Sequence, residues 1–379
     1  MNLAPSKAPD VVVVGGGAIG CSAAWHLARA GVSVTLLERG ELAGQASGAA
    51  AGMLAPYGEA DGAGPFLDWG LRSLARFEGL AHELREDSGV DPEFVRSGIL
   101  RVATDAAAAE ALQRRGREHG DALEWLAPEE LRSLAPSVTH AAEGALWSET
   151  EAHVRSPLLT RAFARAAEAR GARVEEGIPV VGLRREGGRV VGVETPTGSR
   201  PAGAVVLCAG SWTGSAGSWL APEFVVPIAP VRGQIVSLEA PPQSFSTIVW
   251  GAGGAYLVPK LDGTIVVGAT TERVGFDRRV TAAGVSDLLQ AAQALVPQLA
   301  GAGFRGAWAG LRPESPDGLP LVGPVPAVDG LLLAAGHYRN GVLLSPVTGQ
   351  WIADGVLGKD WAEPAFLPER FSSGRFPSA

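Results

Sequence analysis

The sequence predicts an α/β chain: a wound, mainly parallel sheet flanked by helices, joined to a second domain of α+β type around a large mixed or antiparallel sheet. Three observations carry this. Residues 11–38 read as strand, glycine turn, helix and strand. A second buried strand, glycine turn and helix stand near the far end, from Leu331 to Leu344. Between them, short apolar strands and hairpin signals spread over a chain of 379 residues, more than one hydrophobic core usually organises.

The opening unit is the most informative. Val11–Val14 run into Gly15-x-Gly17-x-x-Gly20. Cys21, Ala24, Trp25, Leu27 and Ala28 form the apolar side of a helix that Gly31 ends. The strand Val32 to Leu37 follows and stops on Glu38. Gly15 permits the tight turn, Gly17 lets backbone approach a pyrophosphate, and Gly20 lets helix and strand pack closely. The helix N-terminus then offers unpaired N–H groups and a positive dipole end. Glu38 stands where a carboxylate would accept from a ribose hydroxyl. Together these describe a Rossmann-like, dinucleotide-binding unit; the glycine pattern alone would fit a turn that binds nothing.

Composition narrows the classes. There is no run of 18 apolar residues, so no membrane span is expected. Met1 to Asp10 lacks the apolar core of a signal peptide, which points to the cytoplasm. A net charge of −8 without a basic cluster argues against nucleic acid as a partner. Cys21 and Cys208 read as core residues, not a disulfide framework. Six scattered histidines show no metal-ligand spacing, so no metal is expected.

After Arg39, small residues dominate from Gln45 to Leu54, through Ala46, Ser47, Ala51, Gly52 and Met53. Such a stretch either lies against a flat ring or a pyrophosphate or forms a flexible loop; the apolar pair Met53-Leu54 favours the first. Residues 66–87 read as one long helix, because Leu67, Leu71, Leu74, Phe77, Leu80 and Leu84 recur at three- and four-residue steps. Gly98 to Ala103 reads as a strand, Ala106 to His119 as a helix, and Pro128 starts a short one. Ser156-Pro157 reads as an N-cap and first turn of a helix reaching about Arg170.

Val174-Glu175 reads as a short strand, and Gly187-Gly188 joins the strands Pro179 to Arg185 and Arg189 to Glu194. Ala204 to Gly210 is a fully buried strand ending in Gly210-Ser211-Trp212. Val225 to Glu239, Ala255 to Lys260 and Gly263 to Ala269 suggest an antiparallel sheet. Within it, Tyr256 either faces a ligand or caps a sheet edge. Val285 to Leu295 reads as a helix. Arg312 stands in the apolar stretch Trp308-Ala309-Gly310-Leu311-Arg312-Pro313 and must be paired there, with a bound carboxylate or in a structural ion pair. In the final unit the helix N-terminus again suits an electron-rich group, here a reducible ring, while His337 alone reads as a packed turn residue.

In order along the chain, Gly15–Gly20, Ala49–Leu54, Trp308–Pro313, Asp317–Pro320 and Gly336–Gly341 resemble landmarks of the D-amino-acid oxidase-like flavoproteins and, within them, the glycine oxidases of thiamine biosynthesis. The resemblance implies a discontinuous FAD-binding domain, residues 1–60, 150–215 and 320–379, and a substrate domain, 61–149 and 216–319. It places Gly15, Gly17, Ala18, Ile19 and Gly20 on the pyrophosphate turn, Glu38 on the ribose and Arg39 beside the adenosine. Ala46, Ser47, Ala51, Gly52 and Met53 would line the FAD, with Val180 meeting the adenine. His337, Tyr338, Arg339, Asn340, Gly341, Val342 and Leu343 would wrap the flavin edge.

Arg312 matches the family's carboxylate-binding arginine, Tyr256 its hydroxyl partner, and Arg339 a second substrate-side position. Gly254 departs from the histidine known two residues before that tyrosine, which leaves the finer substrate preference open. Gly310 stands where some relatives attach flavin through cysteine, so non-covalent FAD is expected. The implied activity is oxidation of glycine, sarcosine or small D-amino acids by molecular oxygen, giving oxo acid, ammonia and hydrogen peroxide in a homo-oligomer, a tetramer by resemblance. The alternatives are a D-amino-acid or sarcosine dehydrogenase with another electron acceptor, and a non-catalytic FAD-binding subunit of a larger oxidase.

Overall fold

The computed structural model describes residues 8–60, 62–220, 224–239, 245–359 and 363–372. The N-terminal expectation for Met1 to Asp10, and the extreme ends of the 1–60 and 320–379 segments, lie partly outside these residues.

The strand Val11–Val14 is central to a six-stranded sheet. The strands Val34–Leu37 and Arg173–Glu175 follow it in parallel on one side, and Ala204–Leu207 and Leu331–Ala335 on the other. Leu321–Pro324 closes the edge in the antiparallel sense. The first helix, Ala18–Arg29, packs against the helices Ser156–Ala169 and Gly341–Val356, burying Trp25, Leu27, Phe163 and Ile352 with Val11 and Val13 of the sheet. Gly20 is required here, because a Cβ at that position would lie 1.9 Å from the Gly15 carbonyl oxygen.

A second, eight-stranded sheet runs in the order Gly303–Glu314, Ala229–Glu239, Thr264–Gly268, Tyr256–Pro259, Ile248–Gly251, Ile99–Ala103, Gly144–Ser148, Glu124–Leu126. All pairs are antiparallel except Ile248–Gly251 with Ile99–Ala103. The helix Ala282–Leu295 covers one face, burying Leu288, Ala292 and Leu295 against Val236, Val249 and Val267. These two sheets match the α/β and α+β class read from the sequence.

Several local expectations are corrected. The helix expected over 66–87 is two, Pro65–Leu74 and Phe77–Ser88. The first packs on Gly341–Val356 and the second on Ser156–Ala169, so the axis changes between them to meet two partners. Their buried faces belong to the core under the six-stranded sheet. Ser156 is not an N-cap: Arg155 holds that position, and the Ser156 hydroxyl donates to the Ser47 carbonyl at 2.5 Å. Trp308–Pro313 is part of a twelve-residue strand. Gly144–Ser148, Glu124–Leu126 and Ile248–Gly251 are strands that the sequence did not announce. Among the described residues, no helix is long and apolar enough to cross a membrane.

Candidate active site

Two adjoining clefts sharing Gly17, Ala46, Ser47, Cys208 and Gly210 form one elongated cavity. It lies at the carboxyl ends of the parallel strands, where open α/β sheets bind ligands.

One arm is lined by Gly15, Gly17, Glu38, Arg39, Ala46, Ser47 and Val180. The Glu38 carboxylate is buried, accepting from the Gly16 nitrogen at 2.7 Å and the Gly40 nitrogen at 2.8 Å. The Arg39 guanidinium lies 3.8 Å from the ring centre of Trp212, whose position after the buried strand 204–207 brings it into this arm.

The other arm is lined by Ala18, Ile19, Ala51, Gly52, Met53, Tyr256, Arg312, His337, Tyr338, Arg339, Asn340, Gly341 and Val342, with Gly17, Ala46 and Ser47 shared. Gly20 and Leu343 line neither arm: Gly20 packs on Gly15, and Leu343 is buried in the core with its carbonyl accepting from Ser73. Gly254 is exposed in the turn before Tyr256 and also lies outside the lining.

Two helices begin at this cavity with no hydrogen bond from the N-cap residue's own side chain, Ala18–Arg29 after Gly17 and Gly341–Val356 after Asn340. Their first-turn N–H groups are donors that a helix leaves unpaired. Ser47 Oγ accepts from the Ala18 nitrogen at 2.9 Å, which leaves the following residues to a ligand. The small-residue segment is held close: a Cβ on Gly310 would lie 2.6 Å from that of Ala49, and Trp308 Nε1 donates to the Ala49 carbonyl at 3.0 Å. A long cavity with a buried acid at the end of the second strand, two helix N-termini with N–H groups to offer and a floor of small residues fits FAD.

At the far end, Arg312 and Tyr256 come together. Arg312 donates to the Thr270 carbonyl at 3.0 Å, and no acidic side chain pairs with it among the described residues. Its guanidinium occupies the space above Gly233, where a Cβ would approach it to 2.3 Å. Burial pushes the Tyr256 phenol up from its ordinary value, against the opposing pull of Arg312 and Arg339. The phenol therefore stays protonated as a donor. Arg339 Nε donates to Glu59 Oε1 at 3.1 Å. His337 is buried, its pKa lowered to about 3 by desolvation, and its Nε2 lies 3.0 Å from Thr348 Oγ1. It is a neutral packing residue of the turn.

Sequence reasoning missed Glu59, which lines the cavity from the short helix Pro56–Glu59. Its one signal was an acid five residues after Leu54, close behind the small-residue stretch. Cys208, expected in the core, is buried and also lines both arms. Burial raises its thiol pKa, so it is a poor nucleophile. No group of three or more metal-ligating side chains occurs among the described residues.

Comparison with known proteins places these features in a family. A family model described as FAD dependent oxidoreductase matches residues 10–355. A glycine oxidase of Geobacillus kaustophilus is 38% identical over 357 residues, covering 93% of this chain and 94% of its own. A bifunctional protein ThiO/ThiG of Synechocystis sp. is 35% identical over 375 residues, covering 96% of this chain and 54% of the relative. The crystal structure of glycine oxidase from Geobacillus kaustophilus aligns with a TM-score of 0.90 at 37% identity, covering 95% of this chain and 98% of that one.

Proposed function

The chain belongs to the FAD dependent oxidoreductase family, and from that premise we propose that it oxidises glycine and similar small amino acids, sarcosine and D-alanine among them. The products are the oxo acid, ammonia and hydrogen peroxide, with glyoxylate imine from glycine available to thiamine thiazole synthesis. The observation that carries this reading is Arg312: a cavity-lining guanidinium without an acidic partner among the described residues, beside a protonated phenol.

Arg312 would bind the substrate carboxylate through its planar fork, which fixes both distance and orientation. Tyr256 would donate a second hydrogen bond to the same carboxylate. The two hold the α-carbon in one place, so the chain's contribution is geometry more than proton transfer. FAD, when bound, supplies the two-electron acceptor that takes the α-hydrogen as hydride and is reoxidised by molecular oxygen to give peroxide. In the arm that holds Arg312, the acid Glu59 is held by Arg339 and the imidazole of His337 by Thr348. The substrate amine would therefore enter as the neutral base.

Non-covalent attachment is supported by Gly310 at the family's cysteine position and by the raised pKa of the Cys208 thiol, which lines the cavity. The chain acts in this reading as a cytoplasmic homo-oligomer, a tetramer by resemblance, which light scattering of the eluted peak would measure. The deciding experiment is a panel of glycine, sarcosine, D-alanine and D-proline read by peroxide formation. Flavin bleaching by substrate with little oxygen consumed would instead identify a dehydrogenase.

A further inference from the structure

We infer that Glu59 is a specificity-determining residue that restricts this cavity to substrates with a single carboxylate; the inference rests on the amino-acid oxidase reading above. Two guanidiniums, Arg312 and Arg339, line the same arm of the cavity, and both act on the Tyr256 phenol. Only Arg339 is neutralised, by the Glu59 carboxylate at 3.1 Å. The Glu59 side chain is 12% exposed and that of Arg339 24%, so water screens the pair weakly.

The surrounding structure holds this pairing in place. The Arg339 guanidinium lies 5.6 Å from the ring centre of Trp250, and Arg101 lies 5.7 Å from the same ring. Arg101 is bonded at 2.6 Å to Glu151, which is fully buried. The other oxygen of Glu151 accepts from the Tyr57 nitrogen at 3.0 Å, anchoring the short helix that carries Glu59. Both members of the Glu59–Arg339 pair are thus fixed through one network.

A small amino acid brings one carboxylate, and Arg312 takes it. A substrate with a second carboxylate would bring that charge into the same confined space, beside Glu59. Like charges in a poorly hydrated cleft are strongly disfavoured, and such repulsion is a common source of specificity. Glu59→Gln keeps an oxygen to accept from Arg339 Nε and removes only the charge. Arg339 then becomes a second unneutralised cation in that arm of the cavity, beside Arg312.

The test compares methoxyacetate with diglycolate, which share a skeleton and differ by one carboxylate; neither has an amine to oxidise. Dissociation constants are read from the absorption change of bound FAD in the holoenzyme. Glu59→Gln should raise the affinity for diglycolate relative to methoxyacetate by roughly tenfold or more, and adding Arg339→Met should reverse the gain. Sarcosine and iminodiacetate, the matching amine pair, should show the same change in their kcat/KM ratio. Glu59→Ala serves as the second variant and should shift the ratio in the same direction. An unchanged ratio in both variants, with methoxyacetate still bound, would overturn the inference. Methoxyacetate binding that survives Arg312→Ala would instead overturn the assignment of Arg312 on which the inference rests.

Discussion

Oε2 of Glu38 accepts a hydrogen bond from the backbone nitrogen of Gly16 at 2.7 Å, so the acid that ends the second strand is tied to the glycine turn that follows the first. Glu38→Ala should therefore act twice. It should weaken FAD binding by ~1.5–3 kcal/mol, the typical worth of a charge-assisted hydrogen bond, measured as the dissociation constant of the apoprotein by flavin fluorescence. It should also lower the melting temperature of the apoprotein, because the N–H groups of Gly16 and Gly40 lose their acceptor. An unchanged FAD affinity would remove Glu38 from the cofactor site.

Arg312→Ala should be the most damaging single substitution for catalysis. The carboxylate is the main handle on a small amino acid, so losing the fork loses binding and alignment together. The expected loss in kcat/KM corresponds to ~3–5 kcal/mol. Arg312→Lys should restore little, since an ammonium has no fork. FAD content, read from the absorption spectrum, should stay normal in both. Near-normal activity of the alanine variant would place the substrate elsewhere.

Gly233→Ala tests the position of that guanidinium without touching it. The added methyl would fall 2.3–2.5 Å from three atoms of the Arg312 guanidinium, which must move aside. KM for glycine should rise about tenfold, the equivalent of ~1.4 kcal/mol, while FAD content is retained. Steady-state kinetics separate this from a general loss of fold, which would lower FAD content as well.

Acid should destabilise the protein steeply. Burial lowers His26, His153 and His337 to about 3, whereas each takes a proton near 6.5 when unfolded. Between these values the unfolded chain binds more protons, so stability is lost as pH falls from about 6.5 towards 3. Each histidine contributes about 1.4 kcal/mol per pH unit within that window. Denaturant unfolding from pH 7 to pH 4 measures the slope. His337→Asn should reduce it by about one histidine's share, and an equal slope in wild type and variant would show that His337 is protonated in the fold.

The opening unit was legible because every signal in it is local: β-branched strand, glycine turn, amphipathic helix and acid all lie within residues 11–38. The helix Ala106–His119 was read to the residue, since Asp105 caps it by accepting from the Ala108 nitrogen and Gly120 follows its end. The eight-stranded sheet was legible only in part. Strand order depends on partners far apart in sequence, such as Ile248–Gly251 beside Ile99–Ala103, and no turn chemistry records such pairings. The same holds in the site. The pairing of Glu59 was not legible because its partner Arg339 is 280 residues away, nor was the break at Ala75-Arg76, because two separate helices draw the chain apart there.

Trp308, Gly310 and Arg312 alternate along one strand, so they point to the same side of the sheet. The first two hold the small-residue segment at Ala49, which would lie against the cofactor, and the third would fix the substrate. The spacing between the two ligands is thereby set by a strand's repeat, about 6.8 Å for two residues. Insertion or deletion of one residue between Gly310 and Arg312 would turn the guanidinium to the opposite face. A change of length between Gly310 and Arg312 would thus uncouple the two ligands, whereas changes in the short helix Pro56–Glu59 beside the cavity leave their spacing intact.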